Sequence, residues 1–455
     1  MSALKAGVGR AAITPPIGAE MIGWGLRKGL SIGIHDALEC RALVLDDGRT
    51  PAAIVSLEMI GIPHEMTEQI RGLVAGKTPI PRGNILLNCS HTHASPSTLP
   101  GYHTDKLTPA HSEHLRALPY HIAGAIIEAW HRRREARIGA ASTMVHGITV
   151  NRRDPKLPVD PQLGVIRVDD AAGRPLACLV NYACHGTAVG PHDLEWTADF
   201  AGYVADAIES AVPGCAGLFL QGAEGDIHPW DNYFGNTRPR FPDGYESAER
   251  LGKAIAGPAV GLLQQITTEP DAVIGVAGNT ITLPPRPINW TAEEAEAYLA
   301  QVEATTAPWT GEVVPPECPA CMSAQTYPAL YLLSGARHEA RFARHYPAGI
   351  PAELTVVRIN DIVFAGNPGE LFSELGMQIK ARSPYRHTFV LSITNNWMGY
   401  IPTREAAEAV LGFSLAEFLD PVKHRRHYGA TTTTEVGPAA GEMVVAETLR
   451  LIGLT

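Results

Sequence analysis

The chain of 455 residues has no run of about 18 consecutive apolar residues, so no membrane span is expected. Its start, Met1-Ser2-Ala3-Leu4-Lys5-Ala6, lacks an apolar h-region, so no signal peptide is visible. Basic charge is scarce: 37 Lys and Arg stand against 47 Asp and Glu, for a net charge of −10. No basic stripe runs along the chain, which argues against nucleic acid as a partner, because phosphate binding needs clustered cations. The one cluster, His131-Arg132-Arg133-Arg134, follows a helical pattern and reads as a solvated helix end favoured by the helix dipole. Seven cysteines, an odd number in a long chain, do not make a disulfide framework. Cys318-Pro319-Ala320-Cys321 has no second Cys or His pair nearby, so it reads as a loop feature that could close a local disulfide. No Gly-x-Ser-x-Gly elbow is present, which disfavours a serine hydrolase. Gly7-Val8-Gly9 is not a dinucleotide fingerprint, because no strand precedes it and the third glycine is absent. These absences leave a cytoplasmic globular protein as the expectation, and 45% hydrophobic residues suffice for a large core.

What is present is a set of short apolar runs that end in chemically active turns. Ile85-Leu86-Leu87 closes on Asn88-Cys89-Ser90-His91-Thr92-His93. Side chains two apart on an extended segment share a side, so His91 and His93 are expected to leave the strand end together. Paired imidazoles there suit a metal or a proton relay, and a hydrogen-bonded polar strand end is the plainer alternative. Four more runs behave alike. Leu176 to Ala183 stops at Cys184-His185-Gly186-Thr187, and Gly217 to Gln221 stops at Gly222-Ala223-Glu224-Gly225-Asp226-Ile227-His228-Pro229. Ile362 to Ala365 stops at Gly366-Asn367-Pro368-Gly369-Glu370, and Phe389 to Ile393 at Thr394-Asn395-Asn396-Trp397-Met398-Gly399-Tyr400. In open α/β sheets ligands bind beyond the carboxyl ends of the strands, and zinc takes exactly this mixture of His nitrogen and carboxylate oxygen. Glycine-rich strand ends are also ordinary turns.

The fold class is α/β: a mixed sheet flanked by helices, with strand-like runs alternating with helical stretches. Helices are expected over 63–73, 111–134, 199–212 and 247–265, with Asp199 capping the third. The segment from about 283 to 350 reads as a helical insertion, opened by a Thr291/Glu294 capping box and broken by Pro308, Pro315, Pro316 and Pro319. It either shapes access to the site or is a surface excursion. Asn360-Asp361 is a two-residue hairpin turn. Glu370 is expected to open a helix over 371–382, which would itself favour a carboxylate there. Asp36 and Glu58 read as structural partners or as groups that orient the histidines. His103, His111, His114 and His121 fall too irregularly for a second site and read as surface or helix-face residues.

Ser90-His91-Thr92-His93, Asn151-Arg152, Asn181-Tyr182-Ala183-Cys184-His185, Gly225-Asp226-Ile227-His228-Pro229, Pro368-Gly369-Glu370 and Gly399-Tyr400-Ile401-Pro402-Thr403-Arg404-Glu405 occur in that order along the chain. Together with Val8 to Pro16 and Ile34-His35-Asp36, this series resembles the neutral/alkaline ceramidase family. The resemblance implies a single catalytic domain over 1–455, without the C-terminal immunoglobulin-like domain and signal peptide of the secreted ceramidases. It implies Zn2+ as cofactor, with His91, His185, Glu370 and Tyr400 as ligands and with His93 and Arg152 as catalytic residues beside the metal-bound water. Zinc lowers the pKa of its water to about 7, and the resulting hydroxide would attack an amide carbonyl. Arg152 would stabilise the oxyanion, and His93 would hydrogen-bond to it or pass a proton to the leaving amine.

The chain departs from the family at His228, which stands where the ceramidases carry a serine at the site, and is followed by Pro229-Trp230. A smaller or more polar N-acyl amide is therefore expected in place of ceramide, with Asp226, His228, Trp230 and Trp397 as the substrate-binding candidates. The leading reading is hydrolysis of the C–N bond of a small-molecule N-acyl amide. A metal-dependent esterase or lactonase and a non-catalytic metal-stabilised binder stay open, as does homo-oligomerisation.

Overall fold

The computed structural model describes residues 3–24, 27, 29–99, 107–229, 244–305, 326–420, 427, 429–431 and 433–455. Trp230, His103, Cys318 and Cys321 lie outside the described residues, as do the prolines at 308, 315, 316 and 319.

An eight-stranded mixed sheet runs in the spatial order Ala216–Gln221, Pro175–Tyr182, Gln162–Asp170, Arg134–Met144, Lys5–Ala12, Glu39–Asp46, Pro51–Leu57, Ile85–Cys89. Only the pair at each end is parallel. Parallel neighbours need a crossover, and a helix supplies each one: His64–Ala75 between the strands at one edge, Asp199–Ala211 between those at the other. Strands covered on both faces read as continuous apolar runs, and all five residues of Ile85–Cys89 are buried. The sheet curls until its two edges meet. Ser56 Oγ donates to Phe219 O at 2.6 Å, and Gln221 N donates to Asn88 Oδ1 at 2.8 Å. This closure brings the carboxyl ends of both parallel pairs to one place.

Four of the strands from residue 274 onward form a second sheet, in the order Ile274–Leu283, Ile350–Ile359, Ile362–Gly366, His387–Leu391. Asn360-Asp361 makes the hairpin turn, with Asn360 at φ 52°, the left-handed conformation that such a turn requires. The two sheets stack face to face. Leu43, Ile54, Leu86, Leu179 and Leu218 of the first pack against Val357, Ile359, Phe364, Phe389 and Leu391 of the second. Each such side chain contributes about 1.5–3 kcal/mol by leaving water. Helices cover the outer faces: His64–Ala75 and Pro109–His131 over one half of the large sheet, Asp199–Ala211 and Gly244–Leu263 over the other. The expected flanked mixed sheet is thus present, doubled into two stacked sheets.

In the expected insertion, Thr291 and Glu294 form the capping box, Thr291 N donating to Glu294 Oε2 at 2.8 Å and Glu294 N to Thr291 Oγ1 at 3.2 Å. The helices Ala292–Thr305 and Thr326–Arg344 are built into the core. Ala295, Val302, Ala336 and Ala340 share a buried cluster with Leu354, Val356 and Val363 of the second sheet.

Two local expectations are corrected. Glu370 does not open a helix: Glu370–Leu371 is a short strand, and the helix begins at Ser373. Asp199 is not the cap, a place taken by Ala198. It lies at φ 55°, and its carboxylate accepts from Val189 N at 2.9 Å and Phe200 N at 2.6 Å, tying the 187–189 turn to the helix start. His111 is a helix-face residue as expected, on the buried side of Pro109–His131. Glu58 pairs with Arg41, and Asp36 accepts from Ala198 N at 2.8 Å, so both serve the scaffold.

Candidate metal centre

The turn after Ile85–Cys89 carries the first two histidines. His91 N donates to Met59 O at 2.9 Å, and His91 sits at φ 65°, left-handed backbone that costs a non-glycine residue about 1–2 kcal/mol. His91 and His93 do reach the same place, with their Nε2 atoms 3.3 Å apart. Strand alternation is not the reason, since the strand has already ended at Cys89. The turn is held instead by its neighbour. Thr92 bridges to Gly186, and His93 N donates to Gly186 O at 2.9 Å. A Cβ on Gly186 would lie 2.4 Å from His91 O, so only glycine permits the contact. The fully buried Gln221 fastens both turns: its Nε2 donates to Ser90 O and Cys184 O, each at 2.8 Å, and its Oε1 accepts from Cys184 N at 3.3 Å.

These supports aim lone pairs at a common point. His91 Nδ1 lies 2.7 Å from Ile60 O, and His185 Nδ1 lies 3.3 Å from Glu224 O. A carbonyl only accepts, so each Nδ1 carries a proton, and in the neutral ring that leaves Nε2 to bind a metal. Those two Nε2 atoms are 3.0 Å apart, with Glu370 Oε2 at 3.4 Å from one and 3.5 Å from the other. Ligand atoms on a tetrahedral zinc with bonds near 2.0–2.1 Å stand about 3.3–3.4 Å apart. The three separations match one face of such a centre. Three buried ligand atoms converge there, and the donor set suits a divalent metal.

Protonation states agree. Burial, then Arg152 and His91, hold His185 well below the ordinary imidazole range, so it stays neutral. Burial alone would raise the Glu370 carboxyl. The neighbouring His91, Arg152 and the Trp397 indole outweigh it and leave the group below its usual value. Trp397 Nε1 donates to Glu370 Oε1 at 2.9 Å, which turns the other oxygen toward the histidines.

Tyr400 reaches the site by pairing: Glu370 and Tyr400 are register partners in a two-residue parallel ladder. Its ring lies 6.4 Å from that of His185, nearly parallel. The Arg152 guanidinium stands 4.9 Å from the Tyr400 ring centre. Arg152 is fully buried and donates to Gly225 O. His93 lies on the other side of the cluster, edge-on to Trp24 at 5.4 Å, its backbone carbonyl accepting from Arg27 at 2.6 Å. Burial, then His91, holds His93 neutral.

His228 stacks on His185 with ring centres 5.3 Å apart, and its Nδ1 lies 3.2 Å from Thr187 Oγ1. Asp226, placed by the sequence reading in the substrate pocket, has both oxygens committed to the scaffold: Asn151 Nδ2 at 2.7 Å and Ser373 N at 2.8 Å. Trp397 does line a cavity of about 490 Å³, together with Leu99, Met398 and Glu353. Sequence reasoning missed Gln221, Arg27 and Glu224. The fully buried Glu224 places a carboxylate oxygen in a group with His91, His185 and Glu370 whose ligand atoms all lie within 4.8 Å of one another. The signal available was an acid in the glycine-bracketed turn Gly222-Ala223-Glu224-Gly225 at a strand end.

Residues 4–230 match the family model described as neutral/alkaline non-lysosomal ceramidase, N-terminal. Among curated proteins, neutral ceramidase A of Dictyostelium discoideum is 28% identical over 274 residues, covering 53% of this chain and 37% of the relative. Neutral ceramidase of Drosophila melanogaster is 24% identical over 321 residues, covering 59% and 45%. The chain thus spans less than half the length of these relatives. Among solved structures, neutral ceramidase from Pseudomonas aeruginosa superposes with a TM-score of 0.72 at 17% identity, covering 99% of this chain and 74% of that one. A ceramidase complexed with C2 gives 0.73 at 17%, covering 99% and 75%. At that identity the likeness shows the fold. No helix among the described residues is long and apolar enough to cross a membrane.

Proposed function

The chain belongs to the neutral/alkaline ceramidase family, and from that premise we propose that it is a zinc-dependent hydrolase of the C–N bond of an N-acyl amide other than ceramide. The observation that carries the proposal is the convergence of His91 Nε2, His185 Nε2 and Glu370 Oε2 on one buried point. His91, His185, Glu370 and Tyr400 hold the ion, and the whole chain acts as one catalytic domain into which the 283–350 helices are folded. A divalent ion held there supplies Lewis acidity and a water acidic enough to be a nucleophile near neutral pH.

The remaining residues work on the substrate. Arg152, fixed by its bond to Gly225 O, faces the side where negative charge grows on the carbonyl oxygen. His93 is neutral before reaction, so it takes the proton that water loses and returns it to the leaving nitrogen. In sum the water oxygen bonds to the carbonyl carbon, the C–N bond breaks, and one proton ends on the amine.

One feature favours a substrate more polar than ceramide: His228, with Thr187 beside it, stands where the family resemblance puts a serine. The test is release of free amine from a panel running from short polar N-acyl amides to ceramides, with zinc-loaded protein and His185→Ala as control. Release from a polar member that vanishes in the control supports the reading. Release only from ceramides overturns the substrate class, and silence throughout overturns the activity.

A further inference from the structure

We infer that Glu224 is a direct ligand of the metal, so that the centre takes two carboxylates, Glu224 and Glu370, beside its two histidines. This rests on the reading of His91, His185 and Glu370 as a metal site.

The placement of Glu224 is built by several elements. It lies in the turn that follows the strand Ala216–Gln221, and its carbonyl accepts from Ile227 N at 2.8 Å while facing His185 Nδ1 at 3.3 Å. The next residue, Gly225, donates its N–H to Leu371 O at 2.9 Å, locking this turn to the strand that carries Glu370. The same residue that orients one histidine therefore aims its own side chain into the cluster. Glu224 is fully buried, and apart from its own N–H and the Ser392 hydroxyl no described residue bonds its carboxylate. A buried carboxylate left this way is costly unless a cation meets it. The candidate cation is the one the neighbouring acceptors already call for, since the ligand atoms of all four residues fall within 4.8 Å of one another.

Charge balance favours the same answer. A divalent ion with Glu370 alone and the buried Arg152 leaves two uncompensated positive charges in a dry site. Adding Glu224 leaves one, which a single anionic nucleophile or oxyanion neutralises. With Tyr400 the protein then offers five ligands, three of them oxygen. That is a harder and more crowded set than a tetrahedral zinc site, and it admits cobalt or manganese as well as zinc.

The test is titration of the metal-free protein with Co2+, read by visible absorption, with affinity measured against a chelator. Cobalt bands are intense for four ligands, weaker for five and weakest for six. The expected result in the wild type is the weak bands of five protein ligands and a water. In Glu224→Gln the bands should intensify and affinity should fall roughly 10- to 100-fold, the range seen when groups that tune a metal site are lost. Glu224→Asp withdraws the ligand atom while keeping the charge and should also fall, which guards against misfolding of the amide variant. Unchanged spectrum and affinity in both variants overturns the inference while leaving the metal site intact, and so does an unchanged spectrum with lost turnover, which would make Glu224 a proton carrier. Absence of cobalt binding in the wild type overturns the metal site itself.

Discussion

The Nε2 atoms of His91 and His185 stand 3.0 Å apart, each ring fixed through its other nitrogen by a main-chain carbonyl. That relationship joins two distant turns of the chain in one centre, and removing either ring removes a ligand. His91→Ala and His185→Ala should each fall from a full equivalent of zinc to a small fraction, measured by elemental analysis after dialysis, and lose amide turnover with it. Full zinc content in both variants would contradict the ligand assignment.

Arg152 should behave differently. Its proposed work lies in the transition state, so Arg152→Ala should keep its zinc while kcat drops by about 10²–10³, the cost of losing one oxyanion donor. Zinc lost in parallel with kcat would show that the guanidinium holds the site together instead.

Gln221 supports both histidine turns without touching the cluster. Gln221→Leu would leave Ser90 O, Cys184 O and Cys184 N unpaired in the interior. Each buried orphan costs about 1–3 kcal/mol, so unfolding stability should fall by about 3 kcal/mol or more. Zinc affinity should weaken about tenfold as the turns loosen. An unchanged urea midpoint and zinc affinity would contradict the stapling role.

His338, on the helix Thr326–Arg344, gives a pH dependence of definite sign. Burial, then Arg341 and Arg286, lower its pKa from 6.5 to about 3. The folded ring stays neutral, while the unfolded chain takes up a proton below about pH 6.5. Its contribution is therefore complete above that pH and is lost as pH falls toward 3, at about 1.4 kcal/mol per unit. Between about pH 7.5 and about pH 5.5 the wild type should lose about 1.4 kcal/mol relative to His338→Asn in urea unfolding. A difference independent of pH would mean that the folded ring takes up the proton normally.

All five apolar runs that end in active turns are strands, because buried parallel strands leave continuous hydrophobic stretches that a sequence displays openly. What the sequence concealed was non-local. Nothing near Asp226 says that its oxygens bond Asn151 and Ser373, the latter 147 residues away. Nothing near Glu370 says that it pairs with Tyr400 in a ladder rather than starting a helix. The left-handed His91 breaks the alternation that a strand reading assumes. Glu224 and Gln221 carry no periodicity at all, because their partners are carbonyls and side chains delivered by the meeting of the two sheet edges.

The most direct test of the account is a crystal grown with zinc and measured at the zinc absorption edge. The account predicts one strong anomalous peak per chain, bonded to His91 Nε2, His185 Nε2 and Glu370 Oε2. A fully occupied zinc elsewhere, or no peak among these three atoms, would contradict it.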